Sequence, residues 1–99
     1  MGYMSPQILA KKKFDPFKAD IWALGILTYK MLFNLFPYKG KSEDEIYRKI
    51  KGSKLNFPST IKASKSIKNF ISFLLNKKEK ERPNIQEVFL KFEETFKNK

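Results

Sequence analysis

The sequence contains no cysteine and no histidine among its 99 residues. Without cysteine the chain has neither a disulfide framework nor a thiolate zinc site, and this composition fits an intracellular, cytoplasmic setting. Without histidine it has no imidazole for acid–base catalysis and no histidine ligand for a metal ion. We therefore expect no resident metal in this chain.

Long apolar runs are also lacking. The most apolar stretch, residues 21–27, is bracketed by Asp20 and Lys30. It is far shorter than the roughly 20 residues that a membrane-spanning helix needs. We therefore expect no membrane association.

Arginine is scarce in a strongly basic chain. The formal net charge is +11, yet of the 21 basic residues only Arg48 and Arg82 are arginine. Arginine is the residue favoured for bidentate recognition of phosphates and bases. Apart from short runs at Lys11-Lys12-Lys13 and Lys77-Lys78, the lysines are spread along the chain, which is typical of a solvated surface. We interpret the charge in this way and expect no nucleic-acid partner.

What the sequence does have is apolar periodicity. A hydrophobic fraction of 41% with ten Phe indicates a packed core rather than disorder. The spacing predicts an all-α fold of about five helices, with no convincing strand. The second helix, from about Lys18 to Phe33, is apolar on nearly every side, so it must be surrounded by protein. It is the predicted centre of the fold.

The helix ends carry recognisable signals. A short first helix is predicted from Ser5 to about Ala10, followed by a loop over residues 11–17. Asn34 stands where a left-handed cap would end the second helix. A third helix is predicted to start at Ser42, where Glu45 completes a capping box.

Two further helices follow. The fourth presents one apolar face at helical spacing, formed by Ile67, Phe70, Ile71, Leu74 and Leu75. The fifth begins after Asn84 and has Glu87 three residues later. Its predicted inner face consists of Ile85, Val88, Phe89, Phe92 and Phe96.

Three short motifs stand out against this helical background. They are Tyr3-Met4-Ser5-Pro6-Gln7, then Asp20, Trp22 and Gly25 in the second helix, and Arg82-Pro83 just before the last helix. In this order and spacing they resemble the C-terminal lobe of a eukaryotic protein kinase, which has Tyr-Met-Ala-Pro-Glu, Asp-x-Trp-x-x-Gly and Arg-Pro. The resemblance extends over residues 1–99, as a partial kinase domain from the end of the activation segment through the last helix.

The resemblance implies a role for the first motif. In the family this segment ends the activation segment and borders the substrate pocket, which implies that Gly2, Tyr3, Met4, Ser5 and Pro6 contribute to it. Gln7 replaces a Glu that pairs with the Arg of Arg-Pro in the family. Gln7 and Arg82 are therefore expected to touch still, without the balancing charge.

The second motif implies structural support for catalysis. In the family the Asp at the start of the central helix accepts backbone N–H bonds from the catalytic loop, which implies the same for Asp20. The family's Trp packs against the activation segment, as expected for Trp22. Glycine inside a helix is destabilising by about 1 kcal/mol, so Gly25 indicates the close approach of another element.

The resemblance also implies a docking surface for substrates or regulators. The candidate residues are Phe36, Pro37 and Tyr38, in the turn after the central helix, and Ile46 and Tyr47 on the third helix. Features of residues 42–50, 57–58 and 68–71 are closer to serine/threonine kinases of the calcium/calmodulin-dependent and autophagy-initiating kind. The protein partners so implied are the rest of the kinase domain and a protein substrate.

The residues that transfer a phosphoryl group are not in this sequence. Such chemistry needs a phosphate cradle, a lysine, carboxylates for magnesium and an Asp for the attacking hydroxyl. The four glycines cannot make a Gly-rich loop, and neither His-Arg-Asp nor Asp-Phe-Gly occurs. We therefore assign no catalytic and no cofactor-binding residue here. ATP and Mg²⁺ are implied for the complete kinase only, with the catalytic parts expected before Met1.

Three readings stay open. In the first, the chain is the C-terminal part of a serine/threonine kinase domain and is inactive alone. In the second, it is a non-catalytic kinase remnant that binds proteins through its docking residues. The third is a small basic nucleic-acid binder, which would show steep salt dependence of binding. No arginine cluster supports that third reading.

Overall fold

The computed structural model describes residues 1–97. They form five helices and no strand: α1 (Pro6–Leu9), α2 (Pro16–Phe33), α3 (Glu43–Gly52), α4 (Lys65–Leu74) and α5 (Ile85–Phe96). The all-α prediction is therefore confirmed, and the five helices follow one another in the predicted order. The structure deviates from the sequence prediction mainly at helix ends and in how fully one face is covered.

The central helix α2 begins earlier than predicted. Asp15 is its N-cap, and the Oδ1 atom accepts a hydrogen bond from the Phe17 amide at 2.9 Å. Pro16 takes the first helical position, which suits a residue without an N–H. The predicted loop over residues 16–17 was wrong, because an Asp-Pro pair that can start a turn serves equally well as a cap and first residue. At the other end Asn34 adopts φ 57° and ψ 28°, the predicted left-handed cap.

The caps of α3 and α5 differ in one hydrogen bond. Asn84 and Glu87 form the complete reciprocal capping box, with both bonds 2.9–3.0 Å long. In α3 the Ser42 hydroxyl accepts from the Glu45 amide at 3.2 Å, as predicted. The Glu45 carboxylate, however, accepts from the Lys41 amide rather than from that of Ser42. The reciprocal bond of the predicted box is thus shifted by one residue.

Two groups of buried side chains surround α2. The larger group includes Trp22, Ile26, Tyr29 and Phe33 from α2 itself and joins them to α3 and the C-terminal half of α4. The smaller group consists of Ile21, Phe70, Leu74 and Val88. The predicted apolar face of α4 supplies both groups. Burial against α3, α4 and α5 therefore fixes α2 as the central helix.

Gly25 of α2 lies against the C-terminal end of α4. A Cβ atom at this position would be 2.7 Å from Cδ2 of Leu75 and 2.9 Å from Cβ of Leu74. Real Cβ atoms do not come this close to other heavy atoms. The close approach that the helix-interior glycine predicted is therefore present.

Residues 1–97 leave one apolar face of the fold exposed to solvent. We call it the open face, and its main residues are Leu24, Met31, Leu32, Ile85, Phe89 and Phe92. Met31 is 77% exposed, Ile85 65% and Phe89 63%. The predicted inner face of α5 was therefore wrong for Ile85, Phe89 and Phe92, because only Val88 is buried. The periodicity identified an apolar face correctly, but the described residues supply no element to cover it. Nowhere in residues 1–97 is there a helix with the length and apolarity to cross a membrane.

Candidate functional site

The residues predicted for the substrate pocket lie against the turn that follows α2. The Tyr3 ring meets the Phe36 ring edge-on, with centroids 5.2 Å apart and an interplanar angle of 80°. A Cβ at Gly2 would be 2.8 Å from the same ring, so the backbone there approaches it closely. Lys30 places its ammonium 4.9 Å from the centroid of Phe36. Phe36 therefore joins the N-terminal segment to the candidate docking turn.

Ser5 and Pro6 start the short helix α1. Ser5 is buried, and its hydroxyl accepts a hydrogen bond from the Ile8 amide at 3.3 Å. Pro6 occupies the first helical position and is buried as well. Met4 is partly buried and packs against the larger core group. The first motif is thus anchored by its second half, while Tyr3 remains exposed to solvent.

Arg82 is a buried node that joins distant parts of the chain. Its Nη2 donates to Oε1 of Gln7 at 2.8 Å, across 75 residues of sequence, so the expected contact is present. Its Nη1 donates to the Lys18 carbonyl at 3.0 Å, and its Nε to the Asn76 carbonyl at 2.8 Å. The Lys18 ammonium in turn donates to the Arg82 carbonyl. Together these bonds tie α1, the first turn of α2 and the segment before α5 to one side chain.

The charge of Arg82 has no carboxylate beside it. Arg82 is only 1% exposed, and none of the ion pairs within residues 1–97 includes it. Burial lowers the pKa of Arg82 to about 10, against a smaller opposing effect of Glu79. The guanidinium therefore stays charged at neutral pH but is held only by neutral oxygens and by the Trp22 ring, 5.2 Å away. This is the arrangement expected when a family Glu is replaced by Gln7.

Gln7 is bonded on both sides of its amide. While Oε1 accepts from Arg82, Nε2 donates to the Lys77 carbonyl at 3.0 Å. The orientation of the amide is thereby fixed, with the oxygen toward the cation. Gln7 thus bridges the charged node and the loop before α5.

Trp22 and Tyr38 stack inside the core. Their ring centroids are 6.2 Å apart with an interplanar angle of 15°. Neither Nε1 of Trp22 nor the Tyr38 hydroxyl has a hydrogen-bond partner within residues 1–97, although both atoms are buried. Burial, with a smaller contribution from Tyr29, raises the pKa of Tyr38 to about 12. The Tyr38 hydroxyl is therefore a neutral, unpaired group at physiological pH.

Asp20 faces solvent on the first half of α2. It borders a cleft that also includes Phe17, Ile21 and Ile85. Its carboxylate makes no ion pair within residues 1–97. An exposed acid on a helix that is otherwise deeply packed is free to accept hydrogen bonds from a further element.

The candidate docking residues do not form one surface. Phe36, Pro37 and Tyr38 line a groove of about 400 Å³ between the turn after α2 and residues 53–58. Tyr47 lies in a different cleft, toward α1, with the Lys51 ammonium 5.4 Å from its ring. Ile46 is only 3% exposed and belongs to the core. Tyr38 is 4% exposed and belongs to the core as well. The assignment of Ile46 and Tyr38 as exposed docking residues is corrected, because both side chains are covered by the chain itself.

The sequence prediction missed several residues that shape these sites. The carbonyl groups of Lys18, Asn76 and Lys77 act through backbone oxygens, for which side-chain identity carries no signal. The lysines around the groove could have been identified from their positions flanking the aromatic turn and α3. Within residues 1–97 no cluster of acidic residues could hold a metal ion. The arrangement of the described residues supports positioning and binding.

The comparisons with known proteins agree with the motifs. The family model described as protein kinase domain matches residues 1–91. The chain therefore belongs to the protein kinase domain family.

Over the aligned residues, three curated relatives are 32–38% identical to this chain. It is 38% identical over 89 residues to "Serine/threonine-protein kinase atg1" of Aspergillus oryzae, covering 88% of this chain and 9% of that protein. It is 36% identical over 75 residues to "Aurora kinase" of Candida glabrata, covering 76% of this chain and 20% of that protein. A probable cell cycle serine/threonine-protein kinase of Encephalitozoon cuniculi is 32% identical, with 88% of this chain and 19% of that protein covered. The chain thus spans a fifth or less of the length of these relatives.

Proposed function

We propose that this chain is the C-terminal portion of a serine/threonine protein kinase domain. The complete enzyme would phosphorylate protein substrates with ATP and Mg²⁺, and these 99 residues alone would be inactive. The observation that carries the proposal is the 2.8 Å hydrogen bond between Arg82 and Gln7. It brings the first and third kinase-like motifs together in the way that the resemblance implies.

The open face supports a place within a larger domain. Its exposed residues come from α2 and α5, the helices with the most apolar side chains at the surface. An apolar patch of roughly 300 Å² left in water forfeits about 7–8 kcal/mol. That is comparable to the whole stability of a typical domain, about 5–15 kcal/mol. We propose that the rest of the kinase domain covers this face.

The individual roles that we propose are those implied by the kinase resemblance. Gly2, Tyr3, Met4, Ser5 and Pro6 would border the pocket for the substrate residue after the phosphoacceptor. The solvent-facing carboxylate of Asp20 would accept N–H bonds from the catalytic loop. Such a residue positions the reacting groups and does not touch them.

Trp22 and the Arg82 node would hold the activation-segment end against α2, and Gly25 would allow α4 to pack closely on the same helix. Trp22 is fully buried and stacks on Tyr38, and Gly25 admits α4. These contacts lie within the described residues and need no cofactor. Their role in the proposed enzyme is to keep the substrate side of the site rigid. The cytoplasmic setting of the proposed enzyme stays a prediction.

The proposal is tested on the full-length protein that carries these residues. We expect transfer of phosphate from ATP with Mg²⁺ to Ser or Thr of a protein substrate. Asp20→Asn should lower kcat by about tenfold or more with little change in melting temperature, because it loosens the loop that positions the substrate hydroxyl. Asp44→Asn, also an exposed acid at the start of a helix, is the matched control and should leave kcat unchanged.

The sequence upstream of Met1 offers a direct check. An open frame with a Gly-rich loop, His-Arg-Asp and Asp-Phe-Gly would support the kinase proposal. An in-frame stop codon immediately before Met1 would contradict it.

The second candidate is a non-catalytic protein-interaction module. The observation in its favour is the groove beside Phe36, Pro37 and Tyr38, which needs no ATP to bind a partner. ATP binding by the full-length product separates the candidates. A folded product that binds proteins but not ATP would favour the interaction module.

A further inference from the structure

A groove between the turn after α2 and residues 53–58 combines an aromatic floor with a basic rim. We call it the basic groove. Its volume is about 400 Å³, within the usual range for binding sites. Four aromatic rings border the basic groove: those of Phe36 and Phe57 are partly exposed, and those of Tyr29 and Tyr38 are buried in the core behind the groove surface. Such a floor suits one bulky apolar side chain of a partner.

The walls of the basic groove are tied to the core. The Tyr29 hydroxyl donates to the Asn56 carbonyl at 2.7 Å, which pins residues 53–58 to α2. The Tyr29 and Phe57 rings lie 5.7 Å apart, and Phe57 also packs on Phe33. The two walls are therefore attached to the same central helix. A partner would meet a groove that is already formed.

The charge around the basic groove is of one sign. Lys39, Lys49 and Lys54 line it, and none of its lining residues is Asp or Glu. One of these lysines is paired, because the Glu45 carboxylate lies 3.6 Å from the Lys49 ammonium. Neither Lys39 nor Lys54 is in an ion pair within residues 1–97. The rim thus has two unbalanced cations and one partly balanced cation.

We infer that the basic groove binds an acidic peptide segment with a bulky apolar residue at its centre. The apolar side chain would rest on the aromatic floor, and flanking Asp or Glu residues would pair with the rim lysines. Charge complementarity of this kind gives specificity and speeds association. The inference deepens the docking role proposed above and rests on it. It assigns that role to the basic groove and to Lys39 and Lys54.

The test measures peptide binding to the full-length protein by fluorescence anisotropy. The probe is a fluorescein-labelled nine-residue peptide with Phe at its centre and four Asp on each side. Two comparison peptides have Ala for the Phe, or Lys for every Asp. The double variant Lys39→Glu, Lys54→Glu alters the rim. The matched control, Lys13→Glu with Lys80→Glu, makes the same change of charge at exposed lysines outside the basic groove.

We expect the rim variant to weaken binding of the Phe peptide about tenfold, and the control to weaken it less than about twofold. The Ala peptide should bind more weakly than the Phe peptide, and the Lys peptide not at all. Equal weakening by both double variants would reduce the effect to diffuse net charge and overturn the inference. Equal affinity for the Phe and Ala peptides would also overturn the inference, and so would a failure of the Phe peptide to bind.

Transfer of phosphate from ATP to Ser or Thr of a protein substrate is measured with the same full-length protein. Peptide binding without phosphate transfer would overturn the kinase proposal and leave the basic groove as a docking site. Phosphate transfer without peptide binding would overturn the inference about the basic groove and leave the kinase proposal standing. The two proposals can therefore fail separately.

Discussion

Replacing Gln7 by Glu tests the buried Arg82 node directly. The substitution supplies a carboxylate where Oε1 now accepts from Nη2 of Arg82 at 2.8 Å. The guanidinium already supplies one charged partner, and the carboxylate adds the opposite charge. Bonds to charged groups contribute about 1.5–3 kcal/mol against about 0.5–1.5 kcal/mol for ordinary bonds, so the pair should gain at most about 1–1.5 kcal/mol. The present arrangement holds the guanidinium with neutral oxygens only, which leaves that gain available.

The same substitution removes one hydrogen bond. Nε2 of Gln7 donates to the Lys77 carbonyl at 3.0 Å, and a carboxylate cannot donate. Losing this neutral bond costs about 0.5–1.5 kcal/mol. The Lys77 carbonyl keeps a longer hydrogen bond from Nη2 of Arg82 at 3.5 Å, so the loss lies near the lower value. The net expectation is a stabilisation of about 0.5–1 kcal/mol for Gln7→Glu. In a full-length kinase domain this corresponds to a rise in melting temperature of about 1–4 °C.

The assay is thermal unfolding of the full-length protein, followed by circular dichroism. Gln7→Ala is the control, because it removes both bonds and should destabilise the protein by about 2 kcal/mol. In the background of Arg82→Met the benefit of Gln7→Glu should disappear, which measures the coupling of the two residues. An unchanged or lower melting temperature for Gln7→Glu would refute the argument that the missing charge limits this site.

Three further predictions concern packing, titration and the open face. Gly25→Ala should lower the free energy of unfolding by about 1–3 kcal/mol, because its Cβ would meet Leu75 and Leu74. The control Gly52→Ala has nothing within 4 Å and should stabilise by about 0.5–1 kcal/mol, so similar effects of the two changes in urea unfolding would contradict the close packing. Tyr38→Phe should be neutral or stabilising by up to about 1 kcal/mol, since it removes a buried unpaired hydroxyl. With its pKa raised to about 12, Tyr38 stays protonated in the folded state while the unfolded chain ionises near 10, so wild-type stability should fall between pH 10 and pH 12 by at most about 2 kcal/mol. Urea unfolding should show a smaller fall for Tyr38→Phe, and an identical fall would refute the assignment. The isolated 99-residue chain should aggregate or bind a hydrophobic dye as a loose helical state, and a monomer with one sharp thermal transition would contradict this.

Helix order and type were predictable because each helix carries its own local signal. Asn34 in the left-handed conformation and the Asn84–Glu87 box are short-range features that depend on few neighbours. The start of α2 was less certain, since Asp15-Pro16 is compatible with both a turn and a cap. Local chemistry therefore settles which residues become helical more reliably than where a helix begins.

Burial depends on residues far away and was predicted less well. The spacing of Ile85, Phe89 and Phe92 revealed a shared face but not whether anything covers it. Ile46 illustrates the opposite case, because Ile46 and Ile50 share one face of α3 at i, i+4, which indicates an inward face and not a docking surface. The Arg82 contact with Gln7 came from the motif resemblance, whereas its carbonyl partners depend on the path of the backbone.

The distance in sequence between Gln7 and Arg82 has a consequence for biosynthesis. The hydrogen bond that holds α1 spans 75 residues. At a translation rate of about 5–20 residues per second, roughly 4–15 s pass after Gln7 is made before Arg82 is made. During that interval α1, only four residues long, has no guanidinium to bind and is too short to be stable alone. The helix α1 can therefore take its final place against this side chain only after Arg82 has been synthesised.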